Sequence, residues 1–233
     1  MKPVLVLQHL TSDGPAYLAQ WLREEGVPAQ VFDTQAGQAY PDHVDGYAAL
    51  AVLGGEMSAN EDLPSLRQAE RLILEAMARG LPVIGHCLGG QLMARALGAS
   101  VHASPAPEIG WQPMRLEPTP LATEWFGADR LPTVFHWHFE AFDLPAGATR
   151  LASSPACPNQ AFAIGPHLAM QFHVELDAAK LALWSASIDP DYLALQRSCD
   201  SVQSGAAMRA QAAQALPAQQ RLAARLYRRW LGP

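Results

Sequence analysis

The run Leu81-Pro82-Val83-Ile84-Gly85-His86-Cys87-Leu88-Gly89-Gly90-Gln91, continuing into Leu92-Met93-Ala94-Arg95-Ala96-Leu97-Gly98, decides how the chain is read. A short apolar segment ends at Gly85, and a helical pattern opens just past Cys87. The cysteine is therefore expected on the sharp corner between a buried strand and a helix. Glycine at 85 and 89 suits such a nucleophile elbow, where a side chain would collide with strand or helix. The corner projects the sulfur outward and aims the first N–H groups of the helix at whatever the sulfur attacks. A lone cysteine in a glycine-rich turn is by default a small buried hydrophobe. Its company argues otherwise.

Far downstream stands Leu168-Ala169-Met170-Gln171-Phe172-His173-Val174-Glu175. As a strand, this segment carries His173 and Glu175 at i and i+2 on one face. Glu175 can then orient the imidazole of His173 while the ring takes the thiol proton. Cys87, His173 and Glu175 supply the nucleophile, base and orienting acid of a cysteine acyl-transfer site.

Outward from the elbow, residues 3–9 predict a strand buried on both faces. A helix runs through Leu18, Trp21 and Leu22 to Gly26, and residues 29–33 form a second strand. Residues 48–53 form a third, ending in Gly54-Gly55. A helix follows over 65–79, with Leu66, Leu72, Ile73 and Met77 on its apolar stripe. The alternation predicts an α/β fold, a mostly parallel, flavodoxin-like sheet with helices on both faces. Reactive groups belong at the carboxyl ends of such strands, where Gly54-Gly55, Cys87 and His173 all fall. His9, at the end of the first strand, is expected to make local hydrogen bonds.

From residue 99 to about 150, short strands with many prolines replace the alternation. Strands are expected over 149–153, 161–164 and 168–172. Helices follow over 178–186, 190–202 and 205–231. The last interleaves Arg221, Arg225, Arg228 and Arg229 with Leu222, Leu226, Tyr227 and Trp230, and is expected to dock on the domain. Residues 1–180 thus form the domain, and 181–233 a C-terminal helical appendage packed on it.

Composition narrows the function. Net charge is −6, and no basic block precedes the C-terminus, which argues against nucleic acid and anionic membranes as partners. The apolar run at residues 4–7 is too short for a signal peptide, and nothing approaches the ~18 apolar residues of a membrane span. Three cysteines, Cys87, Cys157 and Cys199, have no regular spacing and fit a reducing cytoplasm. The two lysines, Lys2 and Lys180, follow no glycine-rich loop, so no nucleotide cofactor is expected on this chain.

Gly85-His86-Cys87-Leu88-Gly89-Gly90-Gln91 and Gln171-Phe172-His173-Val174-Glu175 resemble the two signatures of the class I glutamine amidotransferase family. Val52-Leu53-Gly54-Gly55-Glu56-Met57 resembles its oxyanion loop, with Glu56 where the family pattern has proline. The three motifs stand in the family's order. The likeness covers residues 1 to about 180 and is nearest to stand-alone, GMP-synthase-like members.

The resemblance implies a glutaminase that hydrolyses the side-chain amide of glutamine through a γ-glutamyl thioester. Ammonia would pass to an acceptor or to a synthetase on a separate chain. It further implies an oxyanion site at Gly54 and Gly55, with the N–H of Gly55 paired with that of Leu88, and a substrate-holding role for Gln91. Glu108-Ile109-Gly110-Trp111 resembles the family's Glu-x-Gly segment, and residues 133–140 the strand beside the glutamine pocket, which His138 is expected to line. His136 and His138 have the spacing of a metal pair. The further ligand would be His173 or Glu175, and His173 already serves as base, so no metal is expected. Two other classes share the scaffold: a hydrolase of γ-glutamyl amides or conjugates, and a non-catalytic binding relative, against which the intact Cys87, His173 and Glu175 argue.

Overall fold

In the computed structural model of the chain, residues 2–128 and 131–232 are described. The first half alternates as β1 (Val4–Gln8), α1 (Ala16–Glu24), β2 (Ala29–Asp33), β3 (Ala49–Val52), α2 (Pro64–Ala78), β4 (Val83–His86) and α3 (Leu88–Ala96). Then come β5 (Val101–Pro113), β6 (Arg115–Leu116), α4 (Pro120–Phe126), β7 (Thr133–Phe142), β8 (Thr149–Ser153), β9 (Ala161–Ile164) and β10 (His167–Met170). Three helices close the order: α5 (Ala178–Trp184), α6 (Pro190–Ser198) and α7 (Gly205–Leu231).

Eight strands form one sheet in the order β2-β1-β3-β4-β10-β9-β8-β6. The first five run parallel; β9, β8 and β6 continue it antiparallel. The mostly parallel, flavodoxin-like sheet expected from the sequence is what forms, with β4 next to β10.

Strand periodicity sorts the core into two layers. Val4 and Val6 of β1 face a cluster with Leu18 and Leu22 of α1, Trp125 of α4, and Leu226, Tyr227 and Trp230 of α7. Leu5 and Leu7 face the opposite cluster, with Leu66, Leu72 and Ile73 of α2 and Leu92 and Met93 of α3. Helices therefore cover both faces, and α7 packs by the apolar residues of its arginine-flanked stripe. Among the described residues, no helix is long and apolar enough to cross a membrane.

The middle third departs from expectation. Instead of short strands, β5 is one thirteen-residue strand paired antiparallel with β7 in a separate ribbon. Its register breaks between Ala103 and Glu108, so Pro105 and Pro107 sit in the irregularity, where a missing N–H costs no ladder bond. Helix α4 was not expected; Pro120 at its first turn and the Thr119 side chain, accepting from Ala122 N, start it. The strand expected over 168–172 stops at Met170. His173 and Glu175 lie in the turn beyond, not on a strand face.

Candidate active site

Strand β4 ends at His86 and α3 begins at Leu88, which leaves Cys87 alone to make the corner. Its backbone adopts φ 48° and ψ −109°, a left-handed conformation a β-carbon disfavours by about 1–3 kcal/mol. Neighbouring layers hold it there. Cys87 N donates to Met170 O of β10 at 2.9 Å, and Gln91 N closes the first helical turn onto Cys87 O at 3.0 Å. The glycines serve close approach: a β-carbon on Gly89 would lie 2.1 Å from Val52 O, and one on Gly85 2.6 Å from the backbone of Gly89. The thiol receives the Gln171 amide at 3.7 Å and lies 3.7 Å from Trp137 O. Cys87 keeps 6% of its surface exposed, against none for Cys157, whose thiol burial pushes up to about 12.

The turn after β10 brings its two titratable groups together. His173 Nδ1 meets Glu175 Oε1 at 2.7 Å, with both residues buried. Among the described residues Nε2 has no hydrogen-bond partner within normal geometry, and it is the ring nitrogen that Glu175 leaves unoccupied. Burial alone would lower the His173 pKa, yet the charge of Glu175 and the adjacent Cys87 raise it well above the ordinary value. Burial would likewise raise Glu175, but His173, His86 and Lys180 hold it far below the usual carboxylate range. The turn itself is tied down: His173 N donates to Phe135 O at 2.8 Å, and Tyr17 N to Glu175 O at 2.9 Å.

Gly54 and Gly55 follow β3 and lie between these parts. A β-carbon on Gly54 would stand 2.9 Å from His173 Cε1, and one on Gly55 2.8 Å from Leu88 Cδ2. The loop is thus packed against both the ring and the helix start. Past Glu56, Ser58 Oγ donates to Glu140 Oε1 at 2.8 Å and anchors the loop to β7. His9 bonds locally, as expected: its Nδ1 meets the Tyr40 hydroxyl at 3.0 Å, and burial depresses its pKa to about 4.

Gln91 and His138 are engaged inside the protein. Gln91 Nε2 donates to Glu140 O at 3.2 Å and faces Gln171 Oε1 at 3.4 Å. His138 pairs its Nε2 with Glu108 Oε2 at 3.1 Å and its Nδ1 with Glu140 O at 3.2 Å. His138, expected to line the pocket, has both ring nitrogens bonded to its own neighbours. Glu108, His136 and His138 could place ligand atoms within 4.8 Å of one another, a set that includes neither His173 nor Glu175. Glu108 Oε2 already takes the Gln160 amide as well as His138, and a cation on that oxygen would compete with both donors. Burial holds His136 neutral, its pKa lowered to about 3.

Sequence reasoning missed a buried ion pair beneath the turn. Lys180 Nζ lies 2.5 Å from Asp13 Oδ1 and 3.7 Å from Glu175 Oε1. Trp184 was missed too; its ring meets that of His173 at 4.8 Å between centroids. The available signal was a lone lysine on a short apolar helix five residues past Glu175.

The parallel sheet, the strained cysteine at its carboxyl edge and the glycine turn beside it define an α/β protein of the nucleophile-elbow type. A family model for glutamine amidotransferase class-I matches residues 16–180. The chain is 35% identical over 186 residues to a glutamine amidotransferase-like protein, YfeJ, of Salmonella typhimurium, covering 75% of this chain and 77% of that one. A solved structure of a glutamine amido transferase from Methylobacillus flagellatus superposes with a TM-score of 0.91 at 34% identity, over 99% of this chain and 94% of that one. The chain belongs to the class I glutamine amidotransferase family. One of the subunits of the glutamine-hydrolysing GMP synthase of Thermoplasma acidophilum is 30% identical over 161 residues, covering 67% of this chain and 76% of that relative. In a longer GMP synthase, from Aeropyrum pernix, the match spans 30% of the relative's length.

Proposed function

We propose that the protein is a glutaminase whose nucleophile is Cys87, whose base is His173 and whose orienting acid is Glu175. The supporting observation is the 2.7 Å His173–Glu175 contact in a turn where Cys87 is close enough to act on the same ring. His173 takes the thiol proton, and the sulfur attacks the side-chain amide carbon of glutamine. The N–H groups of Gly55 and Leu88 receive the developing oxyanion, each worth about 3 kcal/mol at the transition state. The C–N bond breaks as ammonia leaves with the proton from His173. Water, giving its proton to His173, then cleaves the γ-glutamyl thioester to glutamate and restores the thiol.

Gln91 and His138 act in this reading by shaping the wall formed by the β5–β7 ribbon, Gln91 through Glu140 O of β7 and His138 through Glu108 of β5. The relative in Thermoplasma is one chain of a GMP synthase, so ammonia delivery to a synthetase on another chain is the natural use of the site.

The test is ammonia release from glutamine by the purified chain and by Cys87→Ser. The variant is expected to keep its circular dichroism spectrum and lose at least about 10³-fold in turnover. Undiminished turnover would refute the assignment. A parallel assay on γ-glutamyl conjugates separates a glutaminase from a conjugate hydrolase, since the latter turns over the conjugate faster than glutamine.

A further inference from the structure

We propose that Lys180 is a positioning residue for the Cys87 site, fixing the Glu175 carboxylate and, through Asp13, the Gly54 turn. The inference rests on the triad reading above. Lys180 is 6% exposed, so its ammonium must find its partners inside the protein. It sits 2.5 Å from Asp13 Oδ1 and 3.7 Å from Glu175 Oε1, the same oxygen that takes His173 Nδ1. Glu175 Oε2 has no hydrogen-bond partner among the described residues, so this ammonium and the imidazole hold the carboxylate through one oxygen. Asp13 Oδ2 in turn lies 2.9 Å from where a β-carbon on Gly54 would stand. One cation therefore links the acid that orients the base to the floor of the oxyanion turn.

The helix supports this placement. Asp177 caps α5 by accepting from Lys180 N at 2.8 Å, which fixes where the lysine leaves the backbone. The ammonium lies 5.3 Å from the Trp184 ring centre, and the same ring meets His173 edge to face. The charged and titratable groups acting on this pocket include Asp13, Asp177, Glu175, His173, His86, Cys87 and the Tyr227 hydroxyl, with His9 acting on Asp13 and His136 on His173. Burial lowers the Lys180 pKa, but Glu175 and Asp13 outweigh it and keep the side chain charged. Without the lysine, two buried carboxylates would face each other with only the imidazole left to balance them.

The sign of the effect follows. Removing a positive charge makes every nearby group hold its proton to higher pH; removing a negative charge does the reverse. A purely structural lysine would change the height of a pH–rate profile but not its position. The measurement is the pH dependence of Cys87 alkylation by iodoacetamide, quantified by mass spectrometry on the peptide carrying Cys87. It requires no substrate. Lys180→Met is expected to move the profile up by at least about half a pH unit, roughly a threefold slower reaction on the acid limb. Lys180→Arg, which keeps the charge, should restore the wild-type position, and Asp13→Asn should move the profile down. If Lys180→Met fails to fold, the arginine and asparagine variants still decide the matter. Unmoved midpoints, or shifts of one sign in both charge-removing variants, would overturn the proposal. The expected shifts in a protein that leaves glutamine untouched would uphold it and discard the glutaminase reading. Wild-type Cys87 that alkylates no faster than an unfolded thiol would discard both.

Discussion

Gly54 has room for a hydrogen and nothing more. A methyl there would press on His173 Cε1 and Asp13 Oδ2 at 2.9 Å each, and the ring is backed by Trp184. Gly54→Ala should therefore push the base off line and cost about 10²-fold in glutamine turnover, since small displacements are expensive in a positioned site. Gly46→Ala, with open space around the position, is the matched control and should be neutral. Equal turnover in the two variants would remove Gly54 from the site. Cys87, His173 and Glu175 stood out in the sequence as reactive residue types in short motifs, although the strand face expected to join the last two is a turn. Asp13 and Lys180 did not. They stand 167 positions apart, each ordinary in its own neighbourhood, and only the fold makes them partners.

Helix α7 reaches the site through one amide. Gln219 Oε1 accepts from Phe135 N at 2.6 Å, while its Nε2 donates to His173 O at 3.1 Å. The C-terminal helix thereby clamps the turn that carries His173 onto β7. Gln219→Ala would leave the buried Phe135 N–H without this acceptor and His173 O with only the 3.4 Å contact from Leu176 N, a loss of about 2 kcal/mol or roughly 4–8 °C in Tm. Turnover should fall with it, and hydrogen exchange over residues 171–176 should quicken. Leu226→Ala, in the α7 core contact away from the turn, should lower Tm comparably or more but leave turnover at temperatures where it is folded. If both variants lose turnover in proportion to Tm, the clamp has no role beyond stability. At this scale periodicity read most elements well: β2, β8, β9 and α7 fall on the residues expected. It failed where tertiary partners override local signals. The prolines of β5 are absorbed by the break in pairing with β7, and the segment after Met170 leaves the sheet because Phe135 and Gln219 capture its backbone.

Across the whole molecule, the buried histidines couple stability to pH. His136 is on β7, His9 beside the Gly55 turn, His86 under Tyr227 and His167 on β10, and burial lowers the pKa of all four. The unfolded chain binds protons at these sites from about 6.5 downward, whereas native His136 and His9 resist protonation to about 3 and 4. Between those limits the unfolded state holds more protons, so stability must fall as pH drops below 6.5. Glu175 and Glu108, with pKa values held below the ordinary range, add stability above about 4.5 that is lost on further acidification. His173 works in the other direction: its raised pKa contributes fully below 6.5 and is lost as pH rises through the folded value. Stability is thus squeezed from both sides of neutrality, with the acid side steeper because four histidines act together. His136 alone accounts for about 3 kcal/mol of the decline between pH 6.5 and 4. Phenylalanine is a near-isosteric replacement that cannot titrate, and the Phe172 ring already packs on this site. His136→Phe should therefore shrink the difference in Tm between pH 7 and pH 4, whatever it does to Tm at pH 7. An undiminished difference would mean that the imidazole takes its proton without leaving the native packing, and the acid sensitivity would then belong to His9, His86, His167 and the carboxylates.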